Sequence, residues 1–262
     1  VRLVDSHCHL NADRFADDVD DVLAAARAAG VERILVPGWN VASSQRAVGL
    51  VGARQGLDAA VGVHPHDAAD VDGTGWRTIE RMAADGTVVA IGETGLDYDR
   101  VFSPIPEQLT NLDRNLRLAL ETDRPAILHC RSAAGRRDAQ DALLAALRSF
   151  PVPPRFVVHS FSGPPDYAAA MLALGGSISI SGLAFRRGEE ATGEVVVATP
   201  LDRLLVETDS PFLSPPGAPR GRNEPAWVRV TADWVAERIG VTPEALGDHL
   251  VATYDGVFGR PG

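Results

Sequence analysis

Short apolar runs alternate along the chain with longer stretches in which apolar positions recur every three or four residues, and this alternation holds from end to end. Short runs bounded by turn residues read as buried strands, and the longer period reads as amphipathic helix. The pattern predicts eight strands: Leu3 to Ser6, Arg33 to Val36, Ala59 to Val63, Val88 to Gly92, Ala126 to His129, Phe156 to His159, Ser177 to Ser181 and Leu204 to Thr208. It predicts helices over Ala16 to Ala29, Ser43 to Arg54, Trp76 to Ala84, Glu107 to Thr122, Arg136 to Arg148, Pro165 to Leu174, Glu189 to Ala198 and Ala226 to Ile239, with a last one from Pro243 to Phe258. In the fourth helix Leu112, Leu116, Ala119 and Leu120 lie at helical steps and would lay an apolar stripe on a sheet. Eight strands, each followed by a helix, fit an α/β fold of the closed (β/α)8 barrel type in a chain of 262 residues. A doubly wound open sheet competes, but the glycine fingerprint expected after its first strand is absent. No linker or low-complexity segment interrupts the pattern, so residues 1–262 read as a single domain.

In such a barrel the functional groups come from strand ends and the loops that follow them, and here polar residues gather at those places. The first strand runs into Asp5-Ser6-His7-Cys8-His9. Side chains alternate faces along a strand, so Asp5, His7 and His9 project together while Cys8 points away. Two neutral imidazoles on one face can hold a divalent ion, with the carboxylate orienting one of them; the plain alternative is a pair of core histidines. The third strand ends in His64-Pro65-His66, where proline forces the chain out of the ladder and the two histidines need not share a face. His64 suits a metal ligand, a phosphate contact or an acid–base group. After the fourth strand comes Glu93, between Gly92 and Gly95. A carboxylate buried there requires a charged partner, either an arginine or two metals bridged by its two oxygens. The fifth and sixth strands contribute one imidazole each, His129 and His159, and the eighth leads into Glu207-Thr208-Asp209. Asp209 suits both metal ligation and acceptance of a proton from water. Glu207 lies on the same face by alternation, with an arginine as its simplest partner.

Composition narrows the chemistry. All 25 basic residues are arginine, which excludes Schiff-base catalysis and a metal site bridged by a modified lysine. Two cysteines cannot build a disulfide framework, and their scarcity points to free thiols inside the cell. The opening Val1-Arg2-Leu3-Val4-Asp5 lacks the basic flank and apolar core of a signal peptide. No apolar run approaches the roughly 20 residues of a membrane helix, so a soluble, cytoplasmic protein is expected. A net charge of -10 argues against a general nucleic-acid coating protein, which would carry a basic stripe, but leaves room for a small local site.

Taken together, Asp5-Ser6-His7-Cys8-His9-Leu10, Gly62-Val63-His64-Pro65-His66, Ile91-Gly92-Glu93-Thr94-Gly95-Leu96-Asp97-Tyr98, His159-Ser160-Phe161-Ser162-Gly163, Glu207-Thr208-Asp209-Ser210-Pro211 and Arg222-Asn223-Glu224-Pro225 closely resemble the motifs of the TatD family of metal-dependent deoxyribonucleases. The match covers nearly the whole chain in order. The resemblance implies a TIM barrel of the amidohydrolase type with two divalent ions, one held by His7, His9, Glu93 and Asp209, the other by Glu93, His129 and His159. It implies a hydrolase of DNA with exonuclease activity from the 3′ end, and it matches His64 to a histidine that contacts the scissile phosphate. The chain departs from the family in its final helix, which reads Thr253-Tyr254-Asp255-Gly256 where an asparagine and then an arginine are usual. It departs again after Tyr98, in the loop Asp99-Arg100-Val101-Phe102-Ser103-Pro104-Ile105-Pro106, a difference that bears on substrate choice.

The mechanism expected is two-metal hydrolysis of a phosphodiester. Glu93 joins the ions, Asp209 accepts a proton from water, and Arg131 and His64 steady charge on the phosphate oxygens, arginine being suited to bidentate contact. Four imidazoles favour zinc, manganese, nickel or iron as purified, with magnesium serving in activity. Two other readings stand beside it: a small-molecule hydrolase of the same superfamily acting on an amide, lactone or phosphoester, and a non-catalytic metal-binding barrel. Arginines around the mouth would favour DNA, and Arg131, Arg136, Arg186, Arg187, Arg220 and Arg222 fall in loops after the fifth, seventh and eighth strands. DNA is the expected partner, with no membrane and no obligate protein partner.

Overall fold

In the computed structural model, which describes residues 1–219 and 221–259, eight strands form one sheet in chain order. They are β1 (Leu3–Asp5), β2 (Val31–Pro37), β3 (Leu57–Val61), β4 (Val88–Asp97), β5 (Ala126–Arg131), β6 (Phe156–Val158), β7 (Ser177–Ile180) and β8 (Leu204–Val206), and each neighbouring pair is parallel. The ring closes between β8 and β1, where the Ser6 N–H donates to the Val206 carbonyl at 3.1 Å and Cys8 bridges to Ser210. The helices alternate with the strands: α1 (Val19–Ala28), α2 (Val41–Ala53), α3 (Gly73–Ala83), α4 (Ile105–Glu121), α5 (Asp138–Arg148), α6 (Pro165–Ala173), α7 (Thr192–Ala198) and α8 (Val228–Ile239). A last helix, α9 (Pro243–Phe258), packs against β1 and β8. The barrel is the α/β architecture expected. Among the described residues no helix is long and apolar enough to cross a membrane.

Helix starts follow local chemistry. Asn40 and Ser43 form a capping box at α2, each side chain accepting the other's backbone N–H at 2.9 Å. Asp72 caps α3, and Thr242 with Pro243 opens α9 where the sequence places it. Four helices begin later than their periodicity implies, among them α5, at Asp138 rather than Arg136. Asp13–Phe15 and Pro225–Trp227 wind as short 3₁₀ turns ahead of α1 and α8, and α7 starts only at Thr192.

β4 departs furthest from its expected end at Gly92, running on to Asp97. Its register against β5 shifts between Ile91 and Thr94, the mark of a bulge, and a bulge re-aims the side chain it carries. Here that side chain is Glu93. Gly92 and Gly95 permit it: their φ values are +145° and +141°, and a Cβ at Gly95 would lie 1.9 Å from the His129 carbonyl oxygen. Glycines that resemble a turn signal therefore keep β4 continuous against its neighbour.

The α4 stripe also differs from expectation. Leu112, Leu116 and Ala119 are buried, whereas Leu120 is 41% exposed. Its place in the interface is taken by polar residues. Gln108 accepts the Asp97 N–H at 2.8 Å and donates to the Ser103 carbonyl at 2.8 Å, while Asn111 donates to the Val63 carbonyl at 2.6 Å. These bonds tie α4 to the chain just where β3 and β4 deliver their functional residues.

The opposite end of the barrel is closed by α9. Tyr254 is fully buried, and its hydroxyl donates at 2.8 Å to Asp58 on β3, which also receives Arg33 from β2. The unusual Thr253-Tyr254 sequence thus supplies a floor contact. Tyr254→Phe removes one donor from a buried, charged acceptor and should lower stability by about 1–2 kcal/mol in urea denaturation. A change below about 0.3 kcal/mol would show that the contact contributes nothing.

Candidate metal centre

Six side chains from five strands converge at the carboxyl-terminal mouth of the barrel: His7 and His9 beyond β1, Glu93 in the β4 bulge, His129 in β5, His159 beyond β6 and Asp209 beyond β8. His9, Glu93, His129, His159 and Asp209 line a cavity of about 620 Å³, shared with His64 and Arg131, while His7 is fully buried behind them. All seven residues expected at the site are therefore brought to it, as is Arg131.

Around one Glu93 oxygen the atoms are spaced as metal ligands. His7 Nε2 and His9 Nε2 lie 3.4 and 3.5 Å from Glu93 Oε2 and 3.8 and 3.3 Å from Asp209 Oδ1. The two Nε2 atoms are 3.2 Å apart. A tetrahedral ion with arms of about 2.0–2.1 Å sets its ligands about 3.3–3.4 Å apart, so the edges match. The two Nε2 atoms and two carboxylate oxygens are buried or nearly so and close enough to share one ion. This donor set fits a divalent ion.

The other oxygen, Oε1, faces a second group. His159 Nε2 lies 2.8 Å from it and His129 Nδ1 3.2 Å, with 3.4 Å between the two nitrogens. His64 Nε2 also stands 3.2 Å from Oε1. Its Nδ1 accepts the His66 N–H at 3.1 Å, so neutral His64 carries its hydrogen on Nε2 and presents a donor to the cavity. A nitrogen that donates cannot ligate, which sets His64 apart from the other four imidazoles.

Two carboxylates behind the ring were not recognised as supports from sequence. Among the described residues Glu207 meets no arginine. Its Oε1 accepts from His159 Nδ1 at 3.2 Å, from the Ser160 N–H at 2.8 Å and from the Ser160 hydroxyl at 2.7 Å. That contact turns His159 Nε2 toward Glu93. Asp97 takes His66 Nε2 at 2.7 Å and stands 3.4 Å from His129 Nε2. Alternation placed Glu207 on the right face; the position of Asp97 depends on the extension of β4 through the bulge.

Asp5 requires a correction. It does not share a face with the imidazoles, because β1 ends at Asp5 and the chain then turns. The Asp5 carboxylate instead accepts from the Thr208 N–H at 2.9 Å and the Thr208 hydroxyl at 2.6 Å, pinning β8 to β1 beneath the site.

Protonation follows the geometry. Burial pushes the Glu93 carboxyl up, but the imidazoles of His159, His64 and His129 overcome this and hold it well below the ordinary carboxylate range. Burial pulls His159 down, and Glu93 and Glu207 more than reverse it. His129 is likewise raised against its burial by Asp97 and Glu93. Burial lowers His64 to about 4 despite Glu93, so it is neutral at pH 7.

The expected ring of arginines is only partly present. Arg222 is engaged by Asp18 and Glu224, and Arg136 by Asp138. Arg186 and Arg187 are exposed beyond β7, and Arg220 lies outside the described residues. Arg100, in the loop after β4, lines the cavity with Arg131.

A parallel barrel with histidines and carboxylates gathered at its carboxyl-terminal end defines a metal-dependent hydrolase. The family model described as TatD related DNase matches residues 4–259, and the chain belongs to that family. A 3'-5' ssDNA/RNA exonuclease TatD of Erwinia billingiae is 39% identical over 99% of this chain and all of its own length. YcfH of Escherichia coli, an uncharacterized metal-dependent hydrolase, is 38% identical over 98% of this chain and 95% of its own. The crystal structure of YjjV, a TatD homolog from Escherichia coli, superposes with a TM-score of 0.88 at 30% identity, covering 99% of both chains.

Glu207→Gln keeps the size of the side chain but removes the charge that polarises His159. Affinity for an ion between Glu93, His129 and His159 should fall about 10- to 100-fold, measured by competition with a chromophoric chelator. Wild-type affinity in this variant would show that Glu207 only fills space.

Proposed function

We propose that the chain hydrolyses phosphodiester bonds of single-stranded nucleic acid, DNA above all, as an exonuclease working from the 3′ end with two divalent cations. The observation that carries this reading is Glu93, whose two oxygens face two separate groups of nitrogen donors. One ion would be held by His7, His9, Glu93 and Asp209, the other by Glu93, His129 and His159. Such imidazole-rich sets favour zinc, manganese, nickel or iron as purified, with magnesium able to serve in activity. When bound, a pair of ions lowers the pKa of water and neutralises phosphate oxygens.

The remaining steps belong to this chain's own groups. Asp209 lines the cavity with its carboxylate partly open, in reach of a water that must lose a proton. Its backbone is held at φ +53°, with its N–H on the His7 carbonyl at 2.9 Å, so its direction is imposed by the segment that follows β1. His64 offers its Nε2–H, and Arg131 its guanidinium, to the non-bridging oxygens of the substrate. Polarity and nucleic-acid class follow the exonuclease relatives, which favour this reading over a small-molecule substrate or an idle barrel. Free Cys8 and Cys130 are consistent with a cytoplasmic location.

The test uses a 3′-labelled single strand with elemental analysis of each variant. Glu93→Ala should lose both ions and all activity. Asp209→Asn should lower kcat by at least about 100-fold, as loss of a proton acceptor does. Wild-type protein stripped with a chelator should be inactive and recover with manganese. Normal metal content and normal cleavage in Glu93→Ala would refute the assignment.

A further inference from the structure

Among the described phenylalanines, tyrosines and tryptophans two are exposed, Phe102 at 68% and Phe212 at 53%. Every other described phenylalanine, tyrosine or tryptophan is buried or half-buried, yet these two stand beside the site. Phe102 meets the His66 ring edge-to-face with centroids 4.7 Å apart, and Phe212 meets His9 at 6.0 Å. Phe102 follows β4 and Phe212 follows β8, which lie four places apart in a ring of eight, so they flank the mouth from opposite sides. Each adjoins a residue in the left-handed region, Val101 at φ +49° and Leu213 at φ +47°. A β-branched and a bulky side chain both disfavour that backbone, so the rings are held outward by strained loops. Arg100, two residues before Phe102, and Arg131 line the same cavity.

Exposed π faces on either side of a cavity with arginines suit one ligand chemistry. Unpaired nucleobases stack on aromatic rings whatever their sequence, while their backbone is held by positive charge. Paired bases in a duplex keep those faces covered by their neighbours. We infer that Phe102 and Phe212 are stacking platforms for the nucleobases next to the scissile phosphate. They make the site select base-bearing single strands over duplex and over abasic strands. This rests on the nucleic-acid reading above and adds the part of the substrate, beyond phosphate, that is recognised.

The experiment compares an oligodeoxynucleotide with an abasic strand of the same length and backbone, cleaved by the metal-loaded chain. Wild-type protein should show a KM lower for the base-bearing strand by about 10-fold, the scale of one stacked base, with kcat little different. Phe102→Ala and Phe212→Ala should each remove most of that discrimination, and Phe102→Trp should keep it. Discrimination that survives both alanine variants would overturn the inference. So would a change of oligomeric state in Phe102→Ala with the ratio intact, since the ring would then cover another copy of the chain. Wild-type cleavage of both strands without preference would refute the platforms and leave the nuclease reading standing. Cleavage of neither strand would refute both.

Discussion

A carboxylate buried at the centre of five imidazoles is the constraint on which this structure depends. Glu93 is 3% exposed, and an isolated charge in such a place costs several kcal/mol, so everything near it has to favour the ionised form. The β4 bulge, the two glycines that permit it, and the four strand ends that deliver histidines all serve that requirement. Cations on both oxygens would offset that charge directly. Glu207 extends the arrangement outward by fixing the direction of His159, which faces Glu93, and Asp97 binds His66 while its charge stands behind His129.

Much of this was legible from sequence, for a physical reason. Strand ends of a parallel barrel share one rim, so residues scattered from His7 to Asp209 could be assigned to one place once eight strands were counted. The absence of lysine left a carboxylate as the only bridge, and Glu93 was the one carboxylate at a strand end with glycines around it. What escaped was conformation at single residues. Alternation along β1 fails at Asp5, because the strand ends there and the carboxylate turns to Thr208. The bulge in β4 reads as a turn because glycine signals both. Gln108 and Asn111 break the apolar stripe of α4, yet they are buried because the strand and loop ends they bind have backbone groups to satisfy, and Asn115 donates to Asn111 behind them.

The overall charge of -10 looks ill suited to a polyanionic substrate. On the surface, pairs such as Arg222 with Asp18, Arg136 with Asp138 and Arg137 with Asp166 are neutral in sum. At the cavity Glu93 and Asp209 are the charges that cations would offset, while Arg100 and Arg131 remain beside them with Asp67 and Glu189. Local sign at the mouth, rather than the total, decides which ligand enters.

The central claim is that one carboxylate joins two ions. It is tested most directly by anomalous diffraction from crystals grown with manganese. The account predicts two peaks about 3.5–4 Å apart, each ligated by a different oxygen of Glu93. A single peak, or two peaks that share no Glu93 carboxylate, would contradict it.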